Sequence, residues 1–412
     1  MESRLDSQFQ AAVDAKRVPA VGAIALDKSG EVLYKGTFGT TNISDPAAPK
    51  LTDATPIIIW SCTKIVTTVA ALQLMEQGKL KLDDPVEKYV PKIKKMQVLE
   101  GFDEQGEPKC RAPKTKATIL MLMTHTAGFT YDFFDEASLR WRIWSKRQPA
   151  TYIATGEYAD VENPLIFDPG ERFNYGCNTD WLGFVIESIS GMRLDQYIDQ
   201  NILKPLGLEN TGAHHHGQKL DVHFRAEDGT LTSNPGLDLN ASPEFYGGGH
   251  YLSSTLNDFS QFLLVLLNNG RHPVSGTRIL NDETVKEYLF ADQVHKICSN
   301  AGIGVAKSYI QQVSLNGEFL PGLEKAWSCG LMLNPKGSLK GRSAGSGFWA
   351  GLANLYYWVD PETGKLGLLM SQVLPFMDPP VLHLFDELER AVYGFEGAKE
   401  VGEVGSNWGK KF

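Results

Sequence analysis

Disulfides, membrane spans and surplus positive charge are all missing from this chain of 412 residues, and each absence excludes something. Cysteine is scarce and scattered: Cys62, Cys110, Cys177, Cys298 and Cys329 are odd in number and form no C-x-x-C pair. That is no disulfide framework, and it points to a reducing, cytoplasmic compartment. No apolar run is long enough to cross a bilayer, and the opening MESRLDSQFQAAVDAKRVPA has no apolar core of a secretory signal. The formal net charge of −9, with no basic patch interleaved with aromatics, argues against nucleic acid and anionic membrane surfaces as partners. His214-His215-His216 follows Gly212 in a polar stretch. Contiguous histidines cannot all face one ion, so the run reads as a solvated loop rather than a metal site.

Hydrophobic content of 42% supports a sizeable folded core. Residues 3–17 have a helical pattern, and VGAIALDKSGEVLYKGTFG reads as a hairpin turning at Asp27-Lys28-Ser29-Gly30. Residues 99–117 are polar and turn-rich, a surface excursion. Helices are expected at 117–124, 135–145, 177–191, 194–203, 255–269 and 281–289. Strands return in AWSCGLMLNP and LANLYYWVDPETGKLGLLMSQV, and DPPVLHLFDELERAVYG closes with an amphipathic helix. The expected fold is α+β. Residues 1–90 and 300–396 would share one antiparallel sheet flanked by helices, with 91–299 a mainly helical insertion and 397–412 a disordered tail. The active site should lie at the seam.

The stretch WSCTKIVTTVAALQLMEQG, residues 60–78, carries the chemistry. Ser61 and Lys64 are three apart and so share a helical face, which Ile65, Val69, Leu72 and Met75 continue toward the core. Lysine there loses water, and its pKa falls. A serine hydroxyl becomes a nucleophile only when a neighbour takes its proton. At a helix N-terminus, free N–H groups would also favour an oxyanion. The plain alternative is that Ser61 is only an N-cap. Two further stretches bear on the choice. In DPGERFNYGCNTDWL, Tyr175 stands just before a helix, where a phenol near a lysine can share a proton with serine. Its plain reading is a half-buried loop tyrosine. In WAGLANLYYWVDP, Trp349-Ala350-Gly351 begin a strand, and a glycine there lets a substrate approach the backbone. Its plain reading is a core aromatic and a bulge.

This set, Ser61-Cys62-Thr63-Lys64, Tyr175 and Trp349-Ala350-Gly351, resembles the serine hydrolases of the class C β-lactamase type. That group includes D-peptidases, family VIII carboxylesterases and fungal acyltransferases. LMTHTAGF, PGERFNYG, ILKPLGLENTG and GGGHYLSSTLNDFSQFL support the likeness, which covers about residues 15–395. VLEGFDEQGEP, YGCNTDW and PFMDPP bring it nearest to the fungal statin acyltransferases and their hydrolytic relatives. The resemblance implies a β-lactamase/transpeptidase-like fold and an acylated Ser61. Lys64 and Tyr175 would form the general base, with an oxyanion hole from the N–H groups of Ser61 and Leu352. Trp349, Gly351 and Tyr131 would bind substrate. No metal or organic cofactor is implied.

The chain departs from the β-lactamase pattern twice. Tyr-x-Asn is stretched by one, with asparagine at Asn178, and Trp349 stands where Lys-Thr-Gly would place its lysine. An apolar plate for a cation disfavours β-lactams and D-peptides and favours small-molecule esters with bulky apolar parts. A rival nucleophile exists: Gly341-Arg342-Ser343-Ala344-Gly345 matches G-x-S-x-G, with Asp360, Asp378 and His383 downstream. Its flanks lack the strand before and helix after that such an elbow needs. The reading is therefore a serine esterase or transesterase, with hydrolysis ahead of transfer to a polyketide-type alcohol on base rate alone. A catalytically dead binding module is the non-enzyme alternative, and the oligomeric state stays open.

Overall fold

Near-continuous apolar runs in AVGAIALD and LYYWVD make strands that are buried on both faces, and a sheet so covered needs helices on each side. The structure, a computed structural model, describes residues 2–150, 155–215, 217–304, 307–338 and 341–394. Seven strands form its main sheet: β1 (Ala20–Asp27), β2 (Val32–Gly39), β3 (Ala326–Trp327), β4 (Met332–Asn334), β5 (Ser346–Gly351), β6 (Leu355–Asp360) and β7 (Lys365–Met370). They lie in the order β2-β1-β7-β6-β5-β4-β3, with every neighbour antiparallel. The first and last segments of the chain therefore share one sheet, joined where Gly22 faces Met370 and Asp27 faces Lys365.

Two helical layers cover it. On one side α1 (Glu2–Asp14) sets Phe9 edge-on to Tyr34 and Phe38, and α5 (Pro379–Val392) sets Phe385 against Tyr356 and Trp358. On the other, α4 (Leu256–Leu267) presents Phe259 to Tyr357. The period of two in β6 thus sends adjacent aromatics to opposite layers. Helix α4 falls within the span 91–299, yet it packs on β1, β6 and β7 of the sheet. Helix α2 (Thr63–Glu76) is buried all round from Thr63 to Leu74, rather than along a stripe, because α3 (Asn178–Ser190) packs on it as well. Among the described residues, no helix is long and apolar enough to cross a membrane.

Local expectations diverge in two places. The stretch 99–117 is mostly taken up by a hairpin pairing Val98–Phe102 with Pro108–Arg111, which begins one residue before it. The polar, turn-rich composition hid it, because one face of that hairpin meets solvent. Trp349-Ala350-Gly351 end strand β5 rather than begin one, and a turn over 352–354 leads into β6. Asn354, at φ +64°, makes that turn, and asparagine tolerates the left-handed region that ordinary residues avoid. His216 and the expected tail from 397 lie outside the described residues.

Candidate active site

Ser61 sits in a single 3₁₀ turn, Trp60–Cys62, that runs directly into α2. Its side chain caps neither helix end. The hydroxyl instead accepts a hydrogen bond from Lys64 Nζ at 3.0 Å. The residue before it, Trp60, holds φ at +46° although it is no glycine. Such a conformation costs about 1–3 kcal/mol and persists only where the surroundings enforce it. Here the buried indole donates to Gln372 Oε1 at 3.1 Å, and Gln372 in turn donates to the Ile58 carbonyl at 2.6 Å. The turn bearing Ser61 is therefore anchored to the segment that follows β7.

Lys64 is 2% exposed. An ammonium has three N–H bonds, and this one has three acceptors: Ser61 Oγ at 3.0 Å, Tyr131 Oη at 2.9 Å and the Gly249 carbonyl at 2.9 Å. Burial drives its pKa down to about 8, opposed by the charge of Asp180. Tyr175 lies over the same amine, its ring centroid 4.8 Å from Nζ. Rings of His125, Trp349 and Tyr131 pack around it at 4.6, 4.8 and 5.5 Å. That shell pushes the phenol pKa upward, while hydrogen bonding with Ser61 and Trp349 works against the rise. Trp349 is thus more than an apolar plate, since its indole Nε1 donates to Tyr175 Oη at 3.0 Å. Tyr131, expected only in the pocket wall, is also Lys64's direct partner, and burial raises its phenol pKa further.

The Trp-Ala-Gly stretch meets the serine turn from the sheet. A Cβ on Gly351 would stand 2.6 Å from the Ile59 carbonyl oxygen and 3.4 Å from Cys62 Sγ, so only glycine lets the strand end lie this close. Ser61, Leu352, Tyr175 and Trp349 line one cavity of about 420 Å³, walled by Phe134 and Phe376. A second space of about 730 Å³, reaching Phe319 and Lys307, shares the Phe134, Tyr175, Trp349 and Phe376 walls. Mainly aromatic and aliphatic side chains line both, which suits a small apolar molecule.

Other candidates disperse. The Ser343 backbone N–H donates to Asp360 Oδ2 at 2.9 Å and its hydroxyl to Asp360 Oδ1, while a strand, not a helix, follows it. His383 is exposed on α5. His214 pairs with Tyr246 and His215 with Asp238, so the two do not converge. The Asn178 amide meets His125 Nδ1 at 3.1 Å and the Phe129 carbonyl at 3.4 Å rather than Lys64. The contributions of Gly249, His250 and Asp180 went unread in sequence. Their signal was Gly247-Gly248-Gly249, since a Cβ on Gly248 would meet the Thr179 carbonyl at 2.5 Å. Three successive glycines mark a backbone that must approach closely.

Known proteins resemble the chain over most of its length. The chain is 28% identical over 403 residues to monacolin J acid methylbutanoyltransferase of Aspergillus terreus, covering 94% of this chain and 95% of the relative. It is 30% identical over 287 residues to lovastatin esterase of Penicillium rubens, covering 64% and 68% respectively. Its fold superposes on a mutant of simvastatin synthase from Aspergillus terreus with TM-score 0.81 at 27% identity, covering 95% of this chain and 94% of the other. The Beta-lactamase family profile matches residues 5–388, nearly the whole chain, and the protein belongs to that family.

Proposed function

We propose that the protein is a serine esterase or transesterase that works through an acyl-enzyme on esters with bulky apolar, polyketide-like parts. One observation carries this reading: the Ser61 hydroxyl lies 3.0 Å from a buried amine whose pKa is about 8. Above that pH the amine is neutral and can accept a proton. In the first half-reaction Ser61 Oγ attacks the ester carbonyl carbon, and its proton passes to the Lys64–Tyr175 pair. The tetrahedral oxyanion is held by the backbone N–H groups of Ser61 and Leu352, whose residues border the same cavity. As the C–O bond breaks, Tyr175 returns the proton to the departing alkoxide, leaving an ester on Ser61. Water or a second alcohol then repeats these steps in reverse and releases an acid or a new ester. The aromatic walls and the substrates named for the relatives support bulky apolar esters.

Incubation with p-nitrophenyl butyrate should release p-nitrophenol and leave an acyl adduct on Ser61 by intact mass. Ser61→Ala should lose the adduct and roughly a thousandfold or more in turnover, whereas Ser343→Ala should keep both. Absence of turnover and adduct in the wild-type protein would favour a binding module. A product assay with a statin-like ester, in water and again with excess alcohol, reads the split between hydrolysis and transfer. Nitrocefin should turn over poorly, because Trp349 supplies no cation for a β-lactam carboxylate; rapid turnover would restore the β-lactamase reading.

A further inference from the structure

Across the Gly249 peptide from Lys64 lies a carboxylate that the chemistry above does not use. Asp180, in the first turn of α3, is 0% exposed. Its Oδ1 accepts the Gly249 backbone N–H at 2.9 Å and stands 3.5 Å from His250 Nδ1. Its Oδ2 is buried with no hydrogen-bond partner among the described residues. The carbonyl of that same Gly249 accepts from Lys64 Nζ. The carboxylate and the amine therefore flank one glycine: a Cβ there would lie 3.1 Å from Nζ and 3.2 Å from Oδ2. A side chain at 249 would fill the gap across which the two charges face each other.

We propose that Asp180 is a positioning residue for this chemistry: its carboxylate anchors the Gly249 peptide that orients Lys64, and it is the buried counter-charge of the Lys64 ammonium. The inference rests on the acyl-enzyme reading above. An unpaired buried carboxylate is costly, and one retained beside a buried lysine offsets part of the lysine's own desolvation. The other groups facing Lys64 are Cys62 beside Ser61, His125 and Tyr131 from the segment after residue 124, Tyr175 and Cys177 before α3, and His250 beyond the glycines. Asp180 is the carboxylate among them. Burial lowers the pKa values of His125 and His250, which favours their neutral forms. Both cysteine thiols are pushed up and stay protonated. The negative charge facing Lys64 is thus that of Asp180.

The direction of the effect follows. Without the carboxylate the ammonium gives up its proton more readily, so the rising limb of activity moves to lower pH. The amine is then also a weaker base, so the plateau falls. The test is the pH profile of p-nitrophenyl butyrate acylation for wild type, Asp180→Asn and Asp180→Glu, with thermal melting to establish folding. Folded Asp180→Asn should show its limb about half a pH unit or more acidward and a plateau roughly tenfold lower. Asp180→Glu should hold the limb at or above the wild-type position. An unmoved limb in folded Asp180→Asn would overturn the proposal, even if its rate fell. If Asp180→Asn does not fold, Asp180→Glu decides alone: a limb at or above wild type supports the proposal, and an acidward one overturns it. Failure of wild type itself to acylate would instead refute the acyl-enzyme reading.

Discussion

Lys64 illustrates how one side chain is tuned by its shell. Desolvation lowers its pKa to about 8, with Asp180 pulling the other way. The sign is direct: burial disfavours the ammonium, so below about pH 8 the amine is protonated and cannot take the serine proton. The rate constant kcat/KM should therefore rise as pH climbs through that value. A profile flat from about pH 6 to 9 would remove Lys64 as proton acceptor. Trp349 offers a second check. Phenylalanine keeps the aromatic wall but deletes the 3.0 Å bond to Tyr175 Oη. Because that bond strengthens as the phenol gains negative character, Trp349→Phe should lower kcat about tenfold to a hundredfold with little change in KM. An unchanged kcat would show that the indole N–H is not used.

Local elements meet at this site because certain positions carry no side chain. The end of β5 approaches the serine turn only because Gly351 leaves room for the Ile59 carbonyl, 2.6 Å from where a Cβ would be. The backbone around Ile59 is not free to yield, since Ile59 N–H donates to the Leu252 carbonyl at 2.9 Å. Gly351→Ala should push Leu352 away from Ser61, cutting kcat at least tenfold and costing about 1–3 kcal/mol of stability by overpacking. Urea denaturation and steady-state kinetics would read the two effects separately, and a fully active alanine variant would argue against Leu352 in an oxyanion hole. The hairpin around Asp27 and the helix over 255–269 were legible from composition and spacing, whereas the capping of α4 by Thr255, whose Oγ1 accepts the Asp258 N–H at 3.1 Å, came from the structure. The direction of the Trp-Ala-Gly stretch was not, because SGFWAG has too much glycine to show a strand's alternation.

Taken together, the layers separate stability from chemistry. Helix α5 covers the sheet face opposite α4, and Phe385 packs there on Tyr356 and Trp358 at 5.2 and 5.5 Å. Phe385→Ala should cost about 3–5 kcal/mol of folding stability. The fraction that stays folded at low temperature should keep its kcat, and thermal melting alongside steady-state assay would check both. Loss of kcat without loss of stability would mean that the two faces are coupled. The site itself draws on chain positions as distant as Ser61, Tyr131, Tyr175, Gly249 and Trp349. It therefore exists only once the whole fold has closed.

The reach of sequence alone ended at identifying groups, not at their contacts. Spacing on one helical turn put Ser61 beside Lys64, since that geometry is local. The alternation around the first hairpin and the apolar stretch over β6 and β7 showed strands, and the scattered motifs were enough to recognise the family. Tertiary structure decided which acceptors fill the lysine's three N–H bonds, that Trp349 donates to Tyr175, and that Asp180 stands behind Gly249. Apart from that between Ser61 and Lys64, each of those contacts joins residues dozens of positions apart. No periodicity encodes them; they arise from how closely separate backbones can pack, and at Gly249 and Gly351 that closeness depends on the missing Cβ.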